Sequence, residues 1–172
     1  MTRSILVADG PAQPDAAALD AFWDAARAAL PDLPAAHQVR SLGIDEETTE
    51  RIFDFIRAGS KRGTFSLPWV LEANGFPRAA PGTPVILTDY SGTPRALIRL
   101  TDVRETTFGA IGRAETTLDG PPVRDPDVWR PLHRDYWNGL LERYGKSCDD
   151  DMPVLVEPFE FLWEAPQPRQ QR

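Results

Sequence analysis

Two short apolar segments joined by a turn lie in the middle of the chain, and this pair constrains the fold most. Residues 85–90 are typical of a β-strand, residues 91–94 (Ser-Gly-Thr-Pro) of a turn, and residues 96–104 of the returning strand. Helical periodicities occur at residues 15–30 and 127–144. Strands and helices are interleaved without regular βαβ units. The pattern therefore predicts a mixed α+β fold and disfavours a parallel sheet.

The N-terminal part carries one amphipathic helix followed by a segment without periodicity. Apolar side chains recur at three and four residues from residue 15, and Pro31 ends the pattern. Residues 1–44 are predicted to form this helical extension and a linker, residues 45–165 one domain, and residues 166–172 a disordered tail. A length of 172 residues fits a single domain of this kind.

The predicted domain begins with a second helix and ends with a strand. Asp45 is a good N-cap for this helix, and Gly59 is a good C-terminal stop. Short helices are predicted at residues 69–73 and 108–114. The last strand is predicted in two pieces, interrupted at Pro158.

The net charge of -7 argues against broad electrostatic binding to long duplex DNA. A polyanion would have to bind through a few focused contacts. The single cysteine, Cys148, rules out an internal disulfide and suits a reducing compartment. The apolar run at the N-terminus is too short for a signal peptide or a membrane helix, so we expect a cytoplasmic protein with no membrane partner.

Lys61 and Thr64 are the first candidates for chemistry, because they follow the predicted helix end between Gly59 and Gly63. The two glycines are expected to let the backbone approach a ligand closely. A lysine in a partly buried cleft would act as a base if neutral, or hold a phosphate if charged. The Thr64 hydroxyl would be a nucleophile or an orienting donor. An exposed Lys-Arg-Gly turn is the alternative interpretation.

Three further places offer functional groups, and each has a structural alternative. Glu115 lies in a predicted loop. It is either a catalytic carboxylate or a solvated acid. Three aspartates at residues 149–151 would hold a divalent metal, the one cofactor that the sequence admits, or form a solvated loop. Trp129 and His133 share one helix face. They are either core residues or a surface on which a base stacks.

The order of these features resembles the ASCH domain family of the PUA-like superfamily, and most closely its bacterial single-domain members. The resemblance covers residues 45–163 and rests on these matching segments: 56–64 (IRAGSKRGT), 67–69 (LPW), 81–88 (PGTPVILT), 92–98 (GTPRALI), Phe108, Ala114 with Glu115, Trp129, His133, Tyr136 with Trp137, 151–154 (DMPV) and Phe159.

The resemblance implies a mixed β-barrel surrounded by helices, here with an extra N-terminal helix that either packs on the barrel or mediates dimerisation. In active members the motif lysine and threonine and a later glutamate hydrolyse the amide of an acylated cytidine; the matching positions are Lys61, Thr64 and Glu115. Another member is a ribonuclease with a tyrosine and a serine, where this chain has Phe55 and Ser147. The resemblance also implies substrate-binding roles for Arg62, Ser66, Trp69, Trp129, His133 and Ser147.

Besides Phe55, which lacks the tyrosine hydroxyl, the chain departs from the family pattern around Glu115. An acid-Gly pair usually follows the alanine-rich helix end, whereas here Glu115 is followed by Thr-Thr-Leu before Asp119 and Gly120. Three hypotheses result. The first is a hydrolase, either a ribonuclease or an amidohydrolase, acting on RNA or a modified nucleoside in a lysine-centred cleft. The second is a non-catalytic RNA-binding or coactivator-like module. The third is a metal-assisted nuclease that uses the Asp149–Asp151 loop.

Overall fold

The computed structural model describes residues 3–6 and 10–166. The predicted tail lies outside the described residues, except for Pro166. In chain order the strands are β1 (Arg3–Leu6), β2 (His37–Ser41), β3 (Gly63–Ser66), β4 (Pro84–Thr88), β5 (Pro94–Leu100), β6 (Arg104–Thr107) and β7 (Pro153–Glu164). The helices are α1 (Ala16–Ala29), α2 (Glu46–Arg57), α3 (Pro68–Ala73), α4 (Arg113–Thr116) and α5 (Pro126–Leu141).

The chain forms two compact units. Among the described residues, the first unit contains 3–6, 10–50, 84–98 and 162–166, and the second contains Arg51–Thr83 and Arg99–Phe161. Residues of α2, β5 and β7 therefore contribute to both units. Strands and helices occur throughout, which agrees with the predicted mixed α+β class.

The first unit contains parallel strands, contrary to the expectation from the sequence. β1 pairs in parallel with β2, with Leu6 opposite Arg40, and β2 pairs in parallel with β4, with Ser41 opposite Thr88. β1, α1 and β2 thus form a βαβ crossover, and the predicted linker at residues 31–44 contains a strand. The sequence hides this strand because its five residues, His-Gln-Val-Arg-Ser, contain one aliphatic side chain, at Val39.

The predicted N-terminal helix is confirmed as α1, and it supplies much of the core of the first unit. The Asp15 side chain accepts the amide of Ala18 at 2.9 Å and so caps the helix. One face of α1 is buried against strands of the same unit; this cluster contains Leu19, Phe22, Trp23, Ala26, Leu33, Val39, Ile86 and Leu97. Each large side chain of this kind contributes roughly 1.5–3 kcal/mol by leaving water.

The predicted hairpin is confirmed as β4 and β5, which are neighbours in the sheet. The Asp89 carboxylate shapes the turn between them, because it accepts the amides of Ser91 and Thr93 at 3.0 and 2.9 Å. An aspartate that binds the backbone two residues ahead is a common turn device. The turn thus comes from its own local chemistry.

In the second unit, β3 and β6 pair with β7 in antiparallel fashion. β7 continues through Pro158, so the predicted break there is wrong. The backbone groups around Pro158 still form hydrogen bonds to neighbouring segments. The Phe159 amide donates to the Arg62 carbonyl at 2.9 Å, and the Thr101 amide donates to the Pro158 carbonyl at 2.8 Å. The missing N–H of one proline therefore does not end the strand.

The long C-terminal helix is confirmed as α5, followed by a 3-10 turn at Glu142–Tyr144. Asp125 caps it and Pro126 occupies its first turn, where a proline costs little. Its buried aromatic residues Trp129 and Trp137 pack on Phe108, and Trp129 also packs on Phe65 of β3. This aromatic group fixes α5 against β3, the strand that follows the Lys61 loop.

Candidate functional site

The turn at the end of α2 directs Lys61 inward. Gly59 has a φ of 72° and ends the helix as predicted, and the amides of Ser60 and Lys61 both donate to the Phe55 carbonyl, at 2.8 and 3.1 Å. Lys61 follows with only 6% of its surface exposed. Its ammonium Nζ donates to Asp119 Oδ1 at 2.7 Å. Lys61 is therefore a buried partner of an ion pair and not part of an exposed turn.

The two glycines beside Lys61 have different structural roles. Gly59 is needed for its left-handed backbone conformation. A Cβ atom on Gly63 would lie 2.7 Å from Cβ of Leu118, so this glycine allows β3 to pack closely on the loop before Asp119. At Gly63 the protein's own chain therefore occupies the space, whereas a Cβ atom on Gly59 would meet no atom within 4 Å.

Asp119 is the acid of this site, and its carboxylate accepts three hydrogen bonds. Oδ1 accepts from Lys61 Nζ and from the Gly120 amide at 2.8 Å, and Oδ2 accepts from the Trp129 indole Nε1 at 3.0 Å. Burial alone would raise the pKa of Asp119. The nearby Lys61 charge and the hydrogen bonds from Lys61 and Gly120 outweigh burial and hold this pKa below its usual value. Asp119 is thus ionised and pairs with an ammonium.

His133 completes the cluster as a neutral imidazole. Its Nδ1 lies 2.9 Å from the Trp129 carbonyl oxygen, which can only accept, so Nδ1 carries the proton. Its Nε2 lies 3.8 Å from Asp119 Oδ2. Burial, opposed by the Asp119 charge and the Trp129 carbonyl, lowers the pKa of His133 from 6.5 to about 4. Nε2 therefore presents a lone pair at neutral pH.

Arg124 ties together the two loops that carry the ion pair. Its Nη2 donates to the Ser60 carbonyl, next to Lys61, and its Nε donates to the Asp119 carbonyl at 2.9 Å. The Arg62 amide adds a hydrogen bond to the Leu118 carbonyl at 2.8 Å. The ion pair is thus held by backbone contacts on both sides.

Thr64 and Ser66 lie on a different face of β3 from the ion-pair cluster. Phe65 contacts the rings of Trp129 and His133, and successive side chains of a strand point to opposite faces. Thr64 lies opposite Glu157 on β7, and the Ser66 hydroxyl donates to the Glu157 carboxylate. Thr64, Ser66 and Glu157 are all buried. These three residues thus form a second polar group in the same unit.

Glu115 is held by local contacts in α4. Its carboxylate accepts the Gly112 amide at 2.9 Å and pairs with Arg104 at 3.0 Å. Burial raises the pKa of Glu115, but these contacts outweigh it and the pKa lies below the usual value. The first contact caps the helix. The acid next to Lys61 is therefore Asp119, and Glu115 serves the helix that precedes it.

The other predicted site residues lie in several places. Arg62 is exposed, and so is Ser147, while Trp69 is half-buried beneath the ammonium of Lys146. The Phe55 ring packs on Gly120. In the acidic run, Asp149 accepts the amide of Asp151 and Asp150 pairs with Arg134, each at 3.0 Å. Within residues 3–6 and 10–166, no group of three or more His, Cys, Asp or Glu side chains is arranged to hold a metal ion.

Sequence reasoning missed Asp119 and Arg124. The signal for Asp119 was the displaced acid-Gly pair, since Asp119 and Gly120 stand four residues after the expected position. Nothing in the local sequence distinguishes Arg124, whose role depends on two backbone carbonyls 64 and 5 residues away. Over the same described ranges, no helix combines the length and the apolar character needed to cross a bilayer.

Comparison with known proteins places these residues in a family. The profile of the ASCH domain matches residues 40–162. A crystal structure of an ASCH domain from Lactobacillus crispatus JV V101 superposes with a TM-score of 0.76 at 18% identity, covering 89% of this chain and 96% of that one. The structure of protein EF3133 from Enterococcus faecalis V583 gives a TM-score of 0.75 at 20% identity, with coverages of 86% and 90%.

These two structures confirm the predicted ASCH-type α+β fold, and at such identities they inform on the fold alone. A search of curated proteins gave no significant match. The family profile, in contrast, covers more than half of the sequence. It begins within β2 and ends within β7. The chain therefore belongs to the ASCH domain family.

Proposed function

We propose that this ASCH domain binds RNA, or a nucleoside derived from RNA, at the cluster of Lys61, Asp119, Trp129 and His133. The observation that carries the proposal is the buried Lys61–Asp119 ion pair, with both side chains at most 10% exposed. Buried ion pairs are seldom the most stable solution for a protein interior, because desolvation offsets much of the attraction. A role in recognition gives a reason for the pair.

The Lys61 ammonium supplies hydrogen-bond donors for a ligand. An ammonium has three donor positions, and in the part of the chain that the structure describes Nζ makes one hydrogen bond, to Asp119. The remaining positions suit a phosphate oxygen or the carbonyl of a base. The contact with Asp119 Oδ1 at 2.7 Å orients Nζ as a hydrogen-bond donor in this cluster.

His133 supplies the complementary acceptor. Its Nε2 lone pair suits an N–H or O–H of the ligand, such as the exocyclic amine of a base or a ribose hydroxyl. A donor beside an acceptor matches the edge of a nucleobase. Trp129 is fully buried, and so the imidazole stacked on it, with 17% of its side chain exposed, presents the surface to a ligand.

The test is a calorimetric titration with cytidine, uridine and short single-stranded RNA. We expect Lys61→Ala to abolish binding of at least one of these ligands and Lys61→Arg to retain part of it. Arg27→Ala removes an exposed cation from α1 and serves as a control with unchanged affinity. If the wild-type protein binds none of these ligands, the proposal is wrong.

Hydrolysis is the second candidate, with Lys61, Thr64 and either Glu115 or Asp119 as catalytic residues. The observation in its favour is that a carboxylate lies against the motif lysine, at 2.7 Å. The Thr64 hydroxyl would pass its proton to the carboxylate and attack the acyl carbon, while Lys61 would stabilise the developing oxyanion. The C–N bond would then break as the acid returns the proton to the leaving amine of cytidine, and water would hydrolyse the acyl-threonine to release the carboxylic acid. Thr64 lies opposite Glu157, on a different face of β3 from Lys61 and Asp119. Lys61, Thr64, Glu115 and Asp119 should therefore be substituted one at a time.

Turnover of N-acetylcytidine and of single-stranded RNA is measured by chromatography for the wild type and for four variants. Lys61→Ala, Thr64→Val, Glu115→Gln and Asp119→Asn each remove one proposed group with little change in volume, apart from the lysine. Loss of turnover in the lysine variant and in one acid variant would assign the acid. Binding without turnover in the wild type would leave recognition as the function.

A further inference from the structure

We propose that Trp69, Lys146 and the depression beside Lys146 form a second subsite, which binds another nucleotide of a single-stranded RNA held at the Lys61 cluster. The inference rests on the proposed function and deepens it, because it selects single-stranded RNA over a free nucleoside as the ligand. It uses residues outside the ion-pair cluster.

The first observation is the pairing of a cation with an aromatic ring. Lys146 Nζ lies 4.6 Å from the centre of the Trp69 ring. Trp69 is half-buried and Lys146 is exposed. In the described chain the Lys146 ammonium has no carboxylate partner. Proteins that bind single strands combine such groups, since the ring stacks a base and the cation contacts the backbone phosphate.

The second observation is a depression that shares Lys146 with this pair. It has a volume of about 580 Å³ and lies at the C-terminal end of α5, where its lining includes Asp135, Asn138, Gly139, Glu142, Lys146 and Ser147. This volume is within the usual range for small-ligand sites. A Cβ atom on Gly139 would meet no atom within 4 Å, so the helix leaves open space there. The depression is open to solvent, so a base and a ribose would lie along its surface and would not be enclosed.

The charges of the depression indicate which part of a nucleotide would enter. The carboxylates of Asp135 and Glu142 would repel a phosphate, whereas they accept hydrogen bonds from exocyclic amines and from the 2′-hydroxyl. Lys146 would hold the phosphate at the rim. This arrangement favours adenine, cytosine or guanine over uracil, and RNA over DNA.

The chain geometry limits the length of RNA that could reach both subsites. Eight residues separate Lys61 from Trp69, so their Cα atoms lie at most about 28 Å apart. At the rise of about 3.4 Å per stacked nucleotide this corresponds to roughly eight nucleotides. The affinity should therefore increase with length up to about that size.

Fluorescence anisotropy with labelled oligoadenylate of two, four, eight and twelve nucleotides tests the subsite, with oligouridylate and oligodeoxyadenylate as comparisons. We expect the affinity to rise with length and to fall from oligoadenylate to either comparison strand. Lys146→Ala should lower the affinity for the long strands and reduce the salt dependence by about one phosphate contact. Trp69→Ala should lower it about 5- to 100-fold, with partial retention in Trp69→Phe. Arg27→Ala is the control for charge.

The outcomes separate the two proposals. If cytidine or a dinucleotide binds in a Lys61-dependent manner but neither length nor Lys146→Ala changes the affinity, the subsite is refuted and the Lys61 site stands. If long RNA binds with sensitivity to Trp69 and Lys146 but not to Lys61, the subsite stands and the Lys61 site is refuted. If no RNA of any length binds, both are refuted.

Discussion

The imidazole of His133 lies parallel to the indole of Trp129, with 3.8 Å between ring centres and 15° between ring planes. The same histidine contacts the backbone of Trp129 through Nδ1, one helical turn earlier. Trp129 therefore contacts His133 twice, through its indole ring against the face of the imidazole and through its carbonyl oxygen at Nδ1. This arrangement disfavours the imidazolium, because the charged ring would lose water without gaining a direct hydrogen bond to Asp119.

The first prediction concerns pH. His133 has a pKa of about 4 in the folded protein and 6.5 as a reference, so the unfolded state takes up the proton first. Stability is fully present above pH 6.5 and falls as the pH decreases towards 4, by up to about 3 kcal/mol. The free energy of unfolding in urea, measured from pH 7 to 4, should show this loss.

His133→Asn is the matched variant for this experiment, since it keeps an N–H near the Trp129 carbonyl and does not titrate. The difference in stability between wild type and variant should therefore change across this pH window. Asp119, with its pKa lowered from 3.8, would lose its contribution only below that pH. Parallel curves for the two proteins between pH 6.5 and 4 would contradict the prediction.

The second prediction concerns the ion pair. Lys61→Met leaves the buried Asp119 carboxylate without its cation, and Asp119→Asn leaves the buried ammonium without its anion. Each single variant should cost about 3–5 kcal/mol, while the double variant should lie within about 1 kcal/mol of the wild type. Urea unfolding of the four proteins measures this cycle. RNA binding should be lost in all three variants.

A result in which Lys61→Met is as stable as the wild type would mean that solvent already compensates the Asp119 charge. The proposed function would then lose the burial on which it depends. Equal losses that add up in the double variant would lead to the same conclusion.

The third prediction concerns Gly120, whose amide binds Asp119. A Cβ atom there would lie 2.7 Å from Cδ2 of Phe55, so Gly120→Ala should cost about 1–3 kcal/mol by overpacking. Gly139→Ala is the control, because Gly139 lies in α5 with open space around it. That variant should stabilise the protein by about 0.5–1 kcal/mol. Thermal unfolding of both variants checks the contrast.

The fourth prediction concerns Glu115. Its carboxylate caps α4 through the Gly112 amide, and glutamine can do the same. Glu115→Ala should therefore cost about 0.5–2 kcal/mol, whereas Glu115→Gln should cost little. If Glu115→Gln is stable but loses hydrolytic turnover, the carboxylate is catalytic as the family resemblance implies. Equal destabilisation by both substitutions would disagree with the capping role.

The long elements of the fold were predictable because each one carries its own local signal. α1 and α5 have apolar stripes of helical period, and the β4–β5 hairpin has a turn that Asp89 stabilises within a few residues. β2 was not predictable, since five mostly polar residues become a strand only between two parallel neighbours. Pro158 likewise appeared to end a strand that its neighbours maintain.

The same distinction applies to the candidate site. Lys61 could be selected because its motif is contiguous, and Trp129 and His133 because they share a helix face. Asp119 was not selected, although the displaced acid-Gly pair was a signal for it, because its partner lies 58 residues earlier in the chain and the nearer acid, Glu115, competed for the same role. Distant pairings of this kind depend on the tertiary fold, here on the close approach of Gly63 to Leu118.

The two hydrogen bonds of Arg124 have a consequence for motion. The Arg124 guanidinium binds the carbonyls of Ser60 and Asp119. The loop that carries Lys61 and the loop that carries Asp119 should therefore move together. The charged pair should therefore open as a unit, and the amide protons of Arg62 and Gly120 should exchange with deuterated solvent at similar, slow rates. A ligand would therefore bind to two preformed loops, and its binding should change their backbone conformation little.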